Sequence, residues 1–203
     1  MNRDILKLPN LLTIFRMIMS AVLYLLYVRT FQQSGFLSPI ILFIIYVVIA
    51  LTDLADGIIA RKYNMVTELG KELDPMADKV LVFLMLFAFY RISLLPLWVI
   101  IPIFGRDIYV NYLRKRSKTL EITFKTSNIA KAKTAIQMTF IGAVLAIPAI
   151  MDLKIPDRFY NFLADLVSGP TIMITMIIIM VFTVYTGVDY YVKFRKEISK
   201  LNS

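Results

Sequence analysis

Apolar residues gather along the chain into six runs, at 11–28, 37–51, 79–90, 94–104, 135–150 and 171–191, parted by polar or charged stretches. A helix needs about 20 apolar residues to cross the hydrocarbon core of a bilayer, so each run is read as a transmembrane helix. Several fall short of that length when only apolar residues are counted, and the second and third carry charge at one end. Charge facing lipid is costly, so those ends must face protein or water. The pattern predicts an all-α, polytopic integral membrane protein, a bundle of six transmembrane helices forming one domain over residues 1–203. Residues 1–30 lack a small-residue cleavage site where a signal peptide needs one, so the first span is expected to be retained. Residues 114–127 are basic and polar and read as a surface helix or loop. Residues 152–170 are mixed, with Pro156 and a Gly169-Pro170 break before the last span.

Composition agrees. Apolar types make up 59% of the 203 residues and charged types 18%, and mean hydropathy is +0.71, whereas a soluble domain has about 45–50% and about 25%. The 23 basic residues exceed the 14 acidic ones, for a net charge of +9. In so apolar a chain that excess marks the anionic face of a lipid membrane rather than nucleic acid. With six spans laid out, sixteen Lys and Arg fall on the side that holds both termini, against four on the other. The positive-inside rule then puts the N- and C-termini in the cytoplasm, which for a bacterial cell means spans in the inner membrane. The absence of Cys excludes disulfides and thiolate metal sites, and the absence of His excludes imidazole bases and His-ligated zinc. Catalysis must rest on carboxylates, amines, hydroxyls or metals.

Carboxylates stand where an apolar chain should not have them. Asp53 and Asp56, three apart at the end of the second run, share one helix face, as do Asp74 and Asp78, four apart at the start of the third. Helices joined by a short connection pack as antiparallel neighbours, so the two pairs can converge. Four carboxylates that close repel strongly unless cations lie among them. Two divalent ions would neutralise them, and an all-oxygen donor set suits Mg²⁺ or Mn²⁺. Two such metals, about 3.5–4 Å apart, stabilise the attacking and leaving oxygens in displacement at phosphorus. Gly57 leaves the backbone open to a substrate, Ala60 keeps that approach narrow but open, and Arg61 offers a positive fork to a phosphate oxygen. The same residues admit a structural reading, in which Asp53 and Asp56 mark a helix end and Asp74 is an N-cap with Pro75 at the first helical position. A cation-coupled transporter is the alternative from another class. It would spread its carboxylates along the membrane depth over several helices, but here they gather at one end of two neighbours.

Asp53, Asp56, Gly57, Ala60, Arg61, Gly70, Asp74 and Asp78 together resemble the signature of the CDP-alcohol phosphatidyltransferases, D-x2-D-G-x2-A-R-x8-G-x3-D-x3-D, at every fixed position. Six spans in a chain of 203 residues is also similar to that family. The resemblance implies transfer of a phosphatidyl group from CDP-diacylglycerol to an alcohol with release of CMP. It implies that Asp53, Asp56 and Asp74 hold two divalent ions, with Asp78 both a ligand and the catalytic proton acceptor. It further implies that Gly57, Ala60, Arg61, Thr67 and Gly70 line the CDP-diacylglycerol site. The chemistry is consistent, because without imidazole a carboxylate beside a metal is the base left within reach of an acceptor hydroxyl. Many lipid synthases of this kind look like homodimers, and a pair of copies is compatible with the resemblance.

The acceptor is read from two further stretches. Residues 9–16, with Pro9, Asn10, Thr13 and Arg16, resemble the P-N-x-x-T-x-x-R opening of the phosphatidylglycerophosphate synthases within that family. The resemblance assigns Pro9, Asn10 and Thr13 to CDP-diacylglycerol and Arg16 to the acceptor phosphate. The structural alternative is an Asn N-cap, a Thr bonded back to its own helix and a snorkelling Arg. Arg106-Asp107, then Arg114, then Ala130-Lys131-Ala132-Lys133-Thr134 are similar to an Arg-Glu pair, a second Arg and a Gly-Lys-x-Lys-Thr string in the same synthases. Arg106, Arg114, Lys131 and Lys133 would suit a phosphate-bearing acceptor such as glycerol 3-phosphate. The structural alternative, a basic loop gripping anionic lipid, describes Lys115, Arg116 and Lys118. Gly105-Arg106-Asp107 and Lys131-x-x-Thr134-x-x-Gln137 also resemble cardiolipin synthases of the eukaryotic type, whose acceptor is phosphatidylglycerol. Ala130 and Asp107 stand where the glycerophosphate enzymes more often have Gly and Glu. Lys133 favours glycerol 3-phosphate, because a small dianion needs more fixed positive charge than a lipid monoester.

Overall fold

The structure, a computed structural model, describes residues 8–32, 35–62, 68–120, 128–153 and 155–201, with side chains described for 10–32, 35–52, 76–117, 119–120, 132–153 and 155–199. The described residues form seven α-helices and no strand: α1 (Leu8–Gln32), α2 (Pro39–Lys62), α3 (Glu68–Arg91), α4 (Leu97–Thr119), α5 (Asn128–Met151), α6 (Asp157–Leu166) and α7 (Gly169–Leu201). The six apolar runs coincide with α1–α5 and α7. Among the described residues three stretches, Asn10–Gln32, Ala132–Met151 and Gly169–Ser199, are long and apolar enough by themselves to cross a membrane, and Pro39–Thr52 is a shorter apolar one.

Local chemistry sets the helix ends. Ser38 caps α2, its Oγ accepting from the Ile40 amide at 3.2 Å, and Pro39 follows at the first helical position where no amide donor is needed. Past the end of α1, Gly35 takes φ +89°, and its amide donates to the Thr30 carbonyl at 3.2 Å. α3 begins at Glu68, so Asp74 and Pro75 lie inside a helix rather than at its start, and the N-cap expectation for Asp74 is overturned. α4 runs on to Thr119, which makes residues 114–119 helix. α6 falls in the stretch read as mixed. Its Phe159, Phe162, Leu163 and Leu166 recur at helical spacing, with Leu163 buried and the other three exposed.

The chain divides into two compact units, Met1–Ser93 with Phe140–Val167 and Leu94–Thr139 with Ser168–Ser203. In the first, α1 packs against both α2 and α3. Ala77, Leu81, Met85 and Phe89 repeat every four residues on α3 and are all buried, as are Leu23 and Tyr27 on α1. Phe89 meets the rings of Tyr27 and Phe140 edge-on at 5.5 and 6.3 Å, the arrangement the ring quadrupole favours. Gly142 of α5 lies against Tyr46 of α2, where an added Cβ would stand 3.1 Å from the ring. Ser38 Oγ also donates to Asp152 at 2.6 Å, tying the start of α2 to the end of α5. In the second unit α4 packs against α7 around buried Val110, Leu113, Tyr190 and Phe194.

Candidate active site

In the first unit, a polar stripe runs down one side of α1. Asn10, Thr13, Arg16 and Ser20 recur at three- and four-residue spacing and each is at most 1% exposed. That placement excludes the capping role for Asn10 and the snorkelling role for Arg16. Asn10 lies inside a helix that starts at Leu8, so it is no N-cap, and Arg16 is buried rather than snorkelling. Ser20 Oγ donates to the Arg16 carbonyl at 2.7 Å. Arg16 itself forms an ion pair with Asp78 of α3, Nη1 to Oδ1 at 3.2 Å, with Asp78 about three-tenths exposed. Burying a lone guanidinium in an apolar helix would be prohibitive, and Asp78 is an anion that offsets it. The pair therefore joins the two motifs that sequence reasoning had kept apart.

Asp53, Asp56, Gly57, Ala60 and Arg61 lie on the last turns of α2, and Gly70 and Asp74 on the first turns of α3. Their backbone is helical, so the same-face spacing within each aspartate pair holds; their side chains, and those of Pro9 and Lys131, are outside the described ones. Thr67 lies outside the described residues altogether. Among the described residues no group of three or more metal-ligating side chains occurs. Of the expected aspartate quartet, only the side chain of Asp78 is among the described ones.

The second unit holds the other cations. Asp107 of α4 accepts from Arg106 Nη1 at 3.0 Å, and both of its oxygens accept from Lys133 Nζ on the first turns of α5. All three side chains are at least 86% buried. One carboxylate thus bridges two of the five cations assigned to the acceptor. Arg114 makes its described contact elsewhere, its guanidinium 5.8 Å from the centre of the Tyr190 ring and otherwise exposed.

The sequence profile described as CDP-alcohol phosphatidyltransferase matches residues 6–186. The chain belongs to that family. A CDP-diacylglycerol–glycerol-3-phosphate 3-phosphatidyltransferase of Bacillus subtilis is 28% identical over 195 residues, covering 92% of this chain and 94% of the relative. A protein of the same name from Rickettsia bellii is 36% identical over 132 residues, covering 65% and 71%. A probable phosphatidylglycerophosphate synthase of Mycobacterium tuberculosis is 30% identical over 199 residues, covering 96% and 84%. The chain is thus a phosphatidyltransferase, and its apolar helices make it an integral membrane enzyme.

For this phosphatidyltransferase, sequence reasoning missed three participants in the geometry. Ser20 extends the α1 stripe and carried a signal, since it sits four residues after Arg16 on the same face. Asp107 reads from sequence as a departure from Glu, and only the structure shows it as the anion between two cations. Gly187 of α7 was not singled out, although a glycine inside a long apolar helix usually has a packing reason.

Proposed function

We propose that this chain transfers the phosphatidyl group of CDP-diacylglycerol to sn-glycerol 3-phosphate, releasing CMP and forming phosphatidylglycerophosphate. The observation that carries the proposal is the Arg16–Asp78 pair, which ties the P-N-x-x-T-x-x-R opening on α1 to the last aspartate of the family signature on α3. The names of the relatives from three bacteria support the choice of acceptor. The buried cations Arg106 and Lys133, bridged by Asp107, support an acceptor that bears a phosphate.

Asp53, Asp56, Asp74 and Asp78 would hold two divalent ions, Mg²⁺ or Mn²⁺. They fit that group because every side-chain donor is a carboxylate oxygen, and because Asp78 keeps part of its surface open beside Arg16. Such ions, when bound, polarise the diphosphate and offset charge on the departing CMP. Asp78 takes the proton of the acceptor hydroxyl as that oxygen bonds to the phosphorus carrying diacylglycerol. The bond from the same phosphorus to the CMP oxygen breaks, and CMP leaves. Arg16 fixes the Asp78 carboxylate near the middle of α3 and is also assigned to the acceptor phosphate, with Arg106, Arg114, Lys131 and Lys133. Pro9, Asn10, Thr13, Gly57, Ala60, Arg61, Thr67 and Gly70 bind the CDP-diacylglycerol.

The enzyme works as one domain, alone or as a pair of copies. α1–α5 and α7 serve as six spans, with both termini and the reaction at the cytoplasmic face of a bacterial inner membrane, in keeping with the sixteen-to-four distribution of basic residues. The deciding experiment offers purified protein labelled CDP-diacylglycerol and a panel of acceptors, with products identified by mass. Phosphatidylglycerophosphate from glycerol 3-phosphate is expected. Turnover with phosphatidylglycerol and none with glycerol 3-phosphate would replace this function with cardiolipin synthesis.

A further inference from the structure

Arg106 is held from two directions within the second unit. Asp107 takes Nη1, one of the guanidinium's outer donors. On α7, the backbone of Gly187 lies so close that an added Cβ would stand 2.7 Å from Arg106 Cγ, 3.5 Å from Nε and 3.6 Å from Cδ. Real Cβ atoms do not tolerate the first of these distances, and Cγ belongs to the root of the side chain, not its flexible end. The other two nitrogens, Nε and Nη2, are buried and find no acceptor among the described residues. Nε and Nη2 form the side-on edge of the guanidinium, a fork that matches two oxygens of a phosphate. Leaving that edge without a partner is costly in a buried place, unless a ligand fills it.

We propose that Gly187 is a positioning residue for the acceptor: its missing side chain lets the stem of Arg106 cross α7, so that Asp107 holds one edge of the guanidinium and the Nε/Nη2 edge is presented to the phosphate of the alcohol substrate. This rests on the assignment of Arg106 to the acceptor phosphate. A groove of about 510 Å³ opens beside Arg106, lined among others by Pro102, Tyr109, Val184 and Tyr191. A methyl group on Gly187 can therefore push Arg106 aside into the groove without forcing α4 and α7 apart. Gly105, which lines the same groove, has nothing within 4 Å of the place its Cβ would take. It provides a matched control on a helix of the same unit.

The test compares Gly187→Ala, Gly105→Ala, Arg106→Ala and the double variant Gly187→Ala with Arg106→Ala in the full-length purified enzyme. Gly187→Ala is expected to raise the KM for glycerol 3-phosphate by about ten- to a hundredfold, the range for losing a hydrogen bond to a charged group. The KM for CDP-diacylglycerol and kcat at saturating acceptor should stay within about twofold. Gly105→Ala should match the parent. In the Arg106→Ala background, Gly187→Ala should add nothing, because the side chain it displaces is gone. If Gly187→Ala leaves the acceptor KM unchanged while Arg106→Ala raises it, positioning by Gly187 is wrong and the acceptor site stands. If Arg106→Ala leaves that KM unchanged, the acceptor assignment itself fails, and the proposal with it. Additive effects in the double variant, or loss of folding in Gly187→Ala alone, would overturn the proposal by showing that Gly187 serves the packing of α7.

Discussion

Asp78→Asn tests two roles that one carboxylate carries. Its partner Arg16 is 1% exposed and 3.2 Å away. Two unit charges at that distance attract by about 5 kcal/mol at an effective dielectric of about 20. Solvent reaching the 30% exposed aspartate screens part of this, and the net loss on neutralising the carboxylate is about 2–3 kcal/mol. For a chain of this length that lowers Tm by roughly 4–12 °C. Transfer should fall further, by about 10²–10⁴-fold, the usual contribution of a positioned base. Melting of the detergent-solubilised enzyme followed by intrinsic fluorescence reads the first effect, and CMP release from labelled CDP-diacylglycerol reads the second. Adding Arg16→Met removes the stranded charge, so Tm should return close to the parent while transfer stays absent. A parental Tm for Asp78→Asn would refute the energetic role of the pair. A rate above about a tenth of the parent's would remove Asp78 as the proton acceptor. Recovery of transfer in the double variant would show that the carboxylate serves only to neutralise Arg16.

Chelation by EDTA should stop turnover, and added Mg²⁺ or Mn²⁺ should restore it; full activity after exhaustive chelation would refute the two-ion site. Lys133→Ala leaves Asp107 with Arg106 as its partner among the described residues and should raise the KM for glycerol 3-phosphate about tenfold or more while sparing that for CDP-diacylglycerol; an unchanged acceptor KM would take Lys133 out of the site. Gly142→Val drives a branched side chain toward the Tyr46 ring and should destabilise the first unit by about 1–3 kcal/mol, read as a lower Tm, whereas a parental Tm would mean that α2 and α5 can part there at no cost.

Much of the helical architecture was legible because a bilayer demands long apolar stretches, and those stretches mark most of α1 and α5 and the apolar parts of α2 and α7. The criterion detects lipid contact rather than helical backbone. It therefore stopped at Phe104 while α4 continues through Arg106 and Arg114 to Thr119, and it began at Lys79 while α3 begins at Glu68. α6 escaped because ten residues with Asp157, Arg158 and Asp165 on one side do not form an apolar run, although their spacing is helical. At the site, the three-residue spacing of Asn10, Thr13 and Arg16 is that of one helix face, and all three are buried. What their spacing could not supply was the partner. The resemblance assigned Arg16 to the acceptor phosphate, and only the packing of α1 on α3 brings it to Asp78. The Asp107 bridge depends in the same way on the alignment of α5 with α4, which no local spacing encodes. The contact of Gly187 with Arg106 needs the alignment of α7 as well.

The depth of Arg16 in α1 bears on how the protein is made. The first apolar helix leaves the ribosome carrying a cation whose counter-charge, on α3, has yet to be synthesised. At about 5–20 residues per second the wait lasts several seconds, and Arg16, in the first third of the span, disfavours insertion by less than the roughly 2.5–3.5 kcal/mol that an arginine costs at a span's centre. α1 would thus enter lipid reluctantly on its own and gain its full hold on the membrane when α3 arrives. Integration of the amino-terminal half is then a cooperative event completed by an ion pair, and a chain stopped before Asp78 should slip from the bilayer more readily than one stopped after it.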